Sequence, residues 1–241
     1  MGSGGERSPP RAKSVATAYQ LKPGPYSSHT RLIQLFPQTG QRRRVLDVGC
    51  ADGFLARRLA QMGYKVVGID QHAKAPHVSS NGFEFVDADL DRGIPRLSGL
   101  FDYVLCADIL EHLRDPLQLL IDLRSKLAPS GSLVASLPNS GNLYFRLNVL
   151  MGRFPAQDRG LFDRTHLHFY TWGGWADLLA RGGFRIEKVF PTGVPVGLAV
   201  PEWENTLTVR LLERIAYVLA GVWKSLFAYQ FVIVARPEVQ S

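Results

Sequence analysis

The chain predicts a doubly wound α/β domain with a mostly parallel sheet, and three observations carry that reading. Short apolar runs, seven in all, are separated by glycine, proline and acid-rich breaks and by helix-spaced segments. The first of them opens VLDVGCADGFLARRLA, Val45–Ala60, in which an apolar run breaks at Gly49 and Gly53 and resumes as Phe54, Leu55, Leu59 and Ala60 at helical spacing. The next run, KVVGI from Lys65 to Ile69, is closed by Asp70, 21 residues beyond Gly49. Strand, glycine turn, helix and acid-tipped strand make the opening unit of such a domain.

Glycines belong in the turn because the backbone must reverse tightly and admit a ligand without a Cβ in the way. The helix that follows aims its free N–H groups at whatever binds above the strand. Gly49, Ala51 and Gly53 do not have the G-x-G-x-x-G spacing of a pyrophosphate loop. Asp47 before the turn would repel a phosphate and attract a cation. The string DVGCADG resembles motif I of the class I S-adenosylmethionine-dependent methyltransferases, with Ala51 where that family usually has glycine. The resemblance implies S-adenosyl-L-methionine, whose sulfonium an acid can favour, held by Asp47, Gly49, Cys50, Ala51 and Gly53. It also implies that Asp70 accepts both ribose hydroxyls of the adenosyl group.

The elements follow in order. Residues 1–18, rich in Gly, Ser, Pro and Arg, are expected to be disordered. Lys22–Pro25 reads as a turn, and Ser27 or Ser28 can cap a helix through Phe36 that Pro37 ends. In the resembled family such a helix covers the cofactor cleft, with Tyr19 or Tyr26 as lid residues; packing explains both tyrosines equally well. Phe83–Val86 (FEFV) is the third strand, and the following VDADLDRGIP resembles the next family motif, which implies that Asp89 and Leu90 face the adenine. A solvated loop is the plainer reading of those acids. Phe101–Cys106 (FDYVLC) is the fourth strand, and Asp108, Glu111 and His112 are expected to open the next helix. Here D-x-L-E-H-L-x-D-P resembles the motif of small-molecule methyltransferases that lines the methionine end of the cofactor, implicating Ala107; His112 reads as an orienting or core histidine. Leu117–Leu127 is expected to be a helix burying Leu117, Leu120, Ile121 and Leu127, stopped by Pro129-Ser130-Gly131 before a fifth strand at Ser132–Leu137.

From Ser140 to Tyr170 the chain is neither strand-periodic nor of low complexity, and aromatic residues interleave with arginines. A long insert at the C-terminal edge of an open sheet reads as a lid. Its end, DRTHLHFYTWGGWADLLARGGF, resembles the H-L-x-x-[FY]-[ST] pattern and helix of ubiquinone-type methyltransferases. Thr171 would cap that helix, Trp175, Leu178 and Leu179 would face the core, and Gly182-Gly183 would end it. His166 is the candidate general base, with Asp108 the alternative, and Tyr144, Arg164 and His168 are candidates for holding the acceptor. Phe184–Phe190 (FRIEKVF) and Tyr229–Ala235 (YQFVIVA) complete seven strands, the last of them antiparallel in the resembled family.

At 241 residues and 46% apolar the chain suits one substantial core in one or two domains. No apolar stretch is long enough to span a bilayer, and the polar start shows no secretory signal. Cys50 and Cys106, both at strand ends, suit a reducing, cytoplasmic setting and form no zinc set, so no metal is expected. The net charge of +7 belongs to residues 1–44, which hold eight Lys/Arg against one acid, while the remainder is balanced. A specific nucleic-acid partner is therefore not expected.

These readings divide the chain into a basic tail (1–26), a methyltransferase core (27–190), an insertion (191–228) and the last strand (229–241). In the insertion, Asn205 would cap a helix through about Leu226 carrying Leu207, Leu211, Ile215, Val218, Val222 and Leu226 on one face. Four explanations fit that face: packing onto its own domain, a cover over the acceptor, a homodimer surface, or peripheral contact with the inner face of a membrane. The expected activity is methylation, most simply O-methylation, of a small-molecule, glycan or lipid-linked acceptor. An RNA or protein methyltransferase recruited by the tail, and an inactive S-adenosylmethionine-binding module, are the alternatives.

Overall fold

The computed structural model describes residues 26–71, 82–199 and 206–238. Along them run α1 (Ser28–Gln34), β1 (Arg44–Val48), α2 (Phe54–Gln61), β2 (Lys65–Asp70), β3 (Glu84–Asp87), β4 (Phe101–Ala107), α3 (Pro116–Arg124), β5 (Leu127–Pro138), α4 (Leu143–Leu150), α5 (Trp172–Arg181), β6 (Phe184–Pro191), α6 (Val196–Ala199), α7 (Leu207–Val222), α8 (Lys224–Phe227) and β7 (Gln230–Pro237). The strands form one sheet in the order β3-β2-β1-β4-β5-β7-β6. The first five are parallel, and β7 runs antiparallel between β5 and β6. The order reverses between β1 and β4, and such a switch point opens a crevice above the C-terminal strand ends.

Alternation along each strand feeds two cores. Val45, Val66, Leu105 and Val134 face α1 and α2, with Leu32, Phe36, Leu55 and Leu59 opposite them. Leu46, Val48, Val104 and Leu133 face α3 and α5, meeting Leu119, Leu120, Leu123, Trp175, Leu178 and Leu179. Burial on both faces explains why the strands read as continuous apolar runs. The Trp175 indole N–H donates to the Pro138 carbonyl at 2.7 Å, so α5 is fixed against the end of β5.

Several boundaries differ from those the sequence predicts. Ser27 is the N-cap of α1, accepting from the Thr30 N–H at 3.2 Å, but the helix ends at Gln34. Asp108, Glu111 and His112 do not open a helix: Leu110–His112 is a single 3₁₀ turn, and α3 begins at Pro116 under an Asp115 cap. Proline at the first helical position and an Asx acceptor before it outweigh the earlier acids. α3 ends at Arg124 and buries Leu119, Leu120 and Leu123, whereas Ile121 is exposed and Leu127 belongs to β5. Pro129-Ser130-Gly131 lies inside β5, where the register with β4 shifts. Thr171 occupies the cap position of α5 without a side-chain capping bond.

The insertion differs most. Its helix is capped by Thr206, whose hydroxyl accepts from the Val209 N–H, and Asn205 lies outside the described residues, as do the tail through residue 25 and Tyr19. The helix breaks at Trp223 and restarts as α8. Packing onto its own domain does not explain the stripe, because α7 buries Val209 and Ala220, while Leu207, Leu211, Ile215, Val218 and Val222 face solvent.

Candidate active site

The turn after β1 is built by residues at positive φ: Gly49 at 75°, Ala51 at 47° and Gly53 at 77°. Gly53 is the N-cap of α2, and a Cβ there would lie 2.4 Å from the Phe83 ring, so neither the conformation nor the space admits a side chain. Ala51 holds the left-handed region at a cost of about 1 kcal/mol, and its N–H donates to Asp70 Oδ2 at 2.8 Å. The Gly49 and Cys50 N–H groups are taken by the Ile69 carbonyl, so the loop is fastened to β2.

Asp47 lies beneath this loop, 1% exposed, with neither carboxylate oxygen hydrogen-bonded. Burial, with Asp70 close by, pushes its carboxyl up to about 7. Asp70 and Asp87 are paired in register at the C-terminal ends of β2 and β3. Asp89 caps the next 3₁₀ turn through the Asp91 N–H and pairs with Arg92 at 3.3 Å, and Leu90 packs into the core. The Cys50 thiol is buried and its pKa raised, so it is a packing group against Gly68 and not a nucleophile. Three acids around a tight turn, one of them buried and unpartnered, suit a cationic ligand that also carries hydroxyls.

Past β4, Ala107 is followed by Asp108 at φ 51°, a conformation held from two strands. The Asp108 carboxylate accepts from Ser136 Oγ at 2.5 Å and from Gln230 Nε2 at 2.8 Å, and its N–H donates to Ser136 Oγ. Next, residues 165–168 fold back on the 3₁₀ turn. The Leu167 and His168 N–H groups donate to the Glu111 carbonyl, His168 Nε2 lies 2.9 Å from the Leu113 carbonyl, and His112 Nδ1 lies 3.2 Å from the Thr165 carbonyl. This clamp brings His166 Nε2 within 3.9 Å of the buried Glu111 Oε1 and sets its ring edge-on to His112, centroids 4.7 Å apart.

Glu111, His112 and His166 thus offer ligand atoms within 4.8 Å of one another, a set that could move a proton or hold a divalent cation. Residues 111 and 166 are too distant in sequence for spacing to group them; the paired L-E-H and T-H-L-H strings were the available signal. Of the other candidates, His168 is tied to backbone and stacked on Tyr170, and Arg164 pairs with Asp158 at the surface. Tyr144 is half-exposed on α4 and meets Phe162 edge-on. Phe145, Phe154, Phe162 and Phe169 form one aromatic cluster, and Phe169 also faces His166 at 5.9 Å.

Comparison with known proteins adds to this geometry. The sequence model of a family described as a methyltransferase domain matches residues 24–189. A ubiquinone biosynthesis O-methyltransferase of Xanthomonas campestris is 32% identical over 188 residues, 74% of this chain and 75% of that protein. The mitochondrial ubiquinone biosynthesis O-methyltransferase of Schizosaccharomyces pombe is 30% identical over 104 residues, which span 39% of this chain and only 37% of that protein. A crystal structure of an S-adenosylmethionine-dependent methyltransferase from Mesorhizobium loti superposes with a TM-score of 0.56 at 22% identity, covering 87% of this chain and 98% of that one.

Proposed function

The chain belongs to the class I S-adenosylmethionine-dependent methyltransferase family, and from that premise we propose that it methylates a hydroxyl of a small, largely apolar aromatic or lipid-linked acceptor. S-adenosyl-L-methionine, the family's cofactor, supplies a methyl group activated on a sulfonium. The residues around the β1 turn fit it: Asp70 would hold the ribose hydroxyls, Asp47 would favour the positive charge, and Leu90 and Ala107 would border the ring and the methionine end. The observation that supports the acceptor half is the His166–Glu111 pair beside the phenylalanine cluster. A buried carboxylate next to an imidazole stabilises the imidazolium formed when His166 takes a hydroxyl proton. The four phenylalanines give an apolar aromatic body a surface to stack on. Asp108, pinned by Ser136 and Gln230, keeps the strand end rigid, so that positioning contributes to rate. The ubiquinone biosynthesis enzymes among the relatives act in keeping with such an acceptor.

The test is turnover to S-adenosylhomocysteine with a fractionated small-molecule extract, followed by mass spectrometry for the methylated product. His166→Ala is expected to lower kcat at least about 100-fold with little change in cofactor affinity. Equal turnover by that variant would remove the base from His166. A second reading follows from the three clustered donors: a divalent cation held by Glu111, His112 and His166 would acidify the hydroxyl instead. Loss of turnover on chelation, restored by added cation, would select it.

A further inference from the structure

Most of the large apolar side chains exposed among the described residues sit on two segments, α7 with Trp223 and α4 with Phe154. On α7, Leu207, Leu211, Ile215, Val218 and Val222 fall within an arc of about 80° at 100° per residue, and Leu207 and Val222 are each 80% exposed or more. The side of α7 that meets the protein is the opposite one. Val209 and Ala220 are buried, Glu213 Oε1 accepts from the Gly197 N–H, and Tyr217 stacks on Tyr26 and accepts from Arg31. The one acid of α7 is thus turned inward, while Arg210 and Arg214 lie exposed at the margin of the stripe.

We propose that the outward stripe of α7 lies on an anionic lipid bilayer, an inference that goes beyond the methyl transfer and does not depend on it. An interfacial helix carries large apolar residues on one face and arginine or lysine along its border, as α7 does with its Leu, Ile and Val, and the Trp223 that ends it is also exposed. Charge argues for lipid over a second copy of the chain. A two-fold pairing of this stripe would bring the arginines of both copies to one seam with no α7 acid on the outward side to offset them, whereas anionic headgroups neutralise them. The tail adds to this. Residues 1–25 carry four Lys/Arg and one acid in sequence, and the Tyr26 that follows them stacks on Tyr217 of α7 with centroids 4.6 Å apart.

The surface also leads to the site. Asn139 and Asn142, at the end of β5 and the start of α4, donate to the carbonyls of Ser225 and Ala228, fastening α8 to the edge where the acceptor would enter. From there α4 buries only Phe145, which joins the phenylalanine cluster beside His166. A helix seated on lipid would set the mouth of the site at the interface.

Flotation of the full chain with vesicles of phosphatidylcholine alone or mixed with phosphatidylglycerol tests this, with no acceptor or cofactor present. The chain is expected to float with the anionic vesicles, less so at high salt, and hardly at all with the neutral ones. Leu211→Glu/Val218→Glu changes two exposed positions, so the fold and S-adenosylmethionine affinity should persist while the floated fraction falls about tenfold or more. A wild-type chain that stays with the pellet overturns the proposal, as does a variant that floats like wild type. A dimer in sedimentation equilibrium that the same two changes dissociate assigns the stripe to a second copy and equally overturns it. None of these outcomes bears on turnover, so they leave the proposed methylation standing or falling by its own test.

Discussion

Asp47 sits in the core with its oxygens unpaired, and its pKa of about 7 lies well above its unfolded value of 3.8. The folded chain therefore binds this proton more tightly than the unfolded chain does. Stability contributed by the group is complete below about pH 4 and declines as pH rises toward 7, by on the order of 4 kcal/mol. Asp47→Asn should be indistinguishable from wild type in slope below pH 4, gain on it between pH 4 and 7, and hold a constant advantage above. Urea titrations of the cofactor-free protein at stepped pH measure this, and parallel curves for the two proteins would contradict it. The same change should weaken S-adenosylmethionine binding, which would explain why a destabilising charge is kept. Asp70 acts differently: its carboxylate already holds the Ala51 N–H and stands at the strand end. Asp70→Ala should cost about 1–3 kcal/mol of cofactor affinity by calorimetry, the range for hydrogen bonds to a charged group.

At the scale of elements, β2 and the β1 turn are pressed together at Gly68. A Cβ on Gly68 would lie 2.8 Å from Cys50 Sγ and 3.1 Å from the Phe83 ring. Gly68→Val should destabilise the protein by about 1–3 kcal/mol through overpacking. Since one of the two clashing groups is a thiol, Cys50→Ala in the same chain should recover part of that loss. Denaturant midpoints of the single and double variants form the cycle, and strict additivity would mean that the crowding lies elsewhere. The segment around His166 is held by comparably local means: two N–H groups on the Glu111 carbonyl and His168 on the Leu113 carbonyl. His168 is thus a structural clamp whose loss would misplace His166.

For the molecule as a whole, the insertion is expected to be separable from the cofactor half. α7 contributes little to the core, but α8 holds the carbonyls that satisfy Asn139 and Asn142. Replacing residues 206–223 by a short linker while keeping Lys224 onward should leave cofactor binding intact by calorimetry. The same deletion should abolish flotation and acceptor methylation. Loss of cofactor affinity in that variant would show that α7 supports the sheet after all. No helix among the described residues is long and apolar enough to cross a membrane.

The succession of strands along the chain, the acid-tipped turn and the family's motif were legible in the residues because they rest on local chemistry. A buried strand needs an unbroken apolar run, a tight turn needs glycine at Gly49 and Gly53, and the acids follow within a few positions. Helix boundaries were less legible: Asp115 and Pro116 compete with Asp108 and Glu111 for the start of α3, and only packing chooses. Two matters were decided by tertiary structure alone. The direction of α7's apolar stripe depends on which face meets the sheet, and a helical repeat is the same whether it points to the core or to solvent. The meeting of His166 with Glu111 and His112 depends on how residues 165–168 pack against the 3₁₀ turn after β4, and side chains that far apart along the chain become neighbours only through long-range folding.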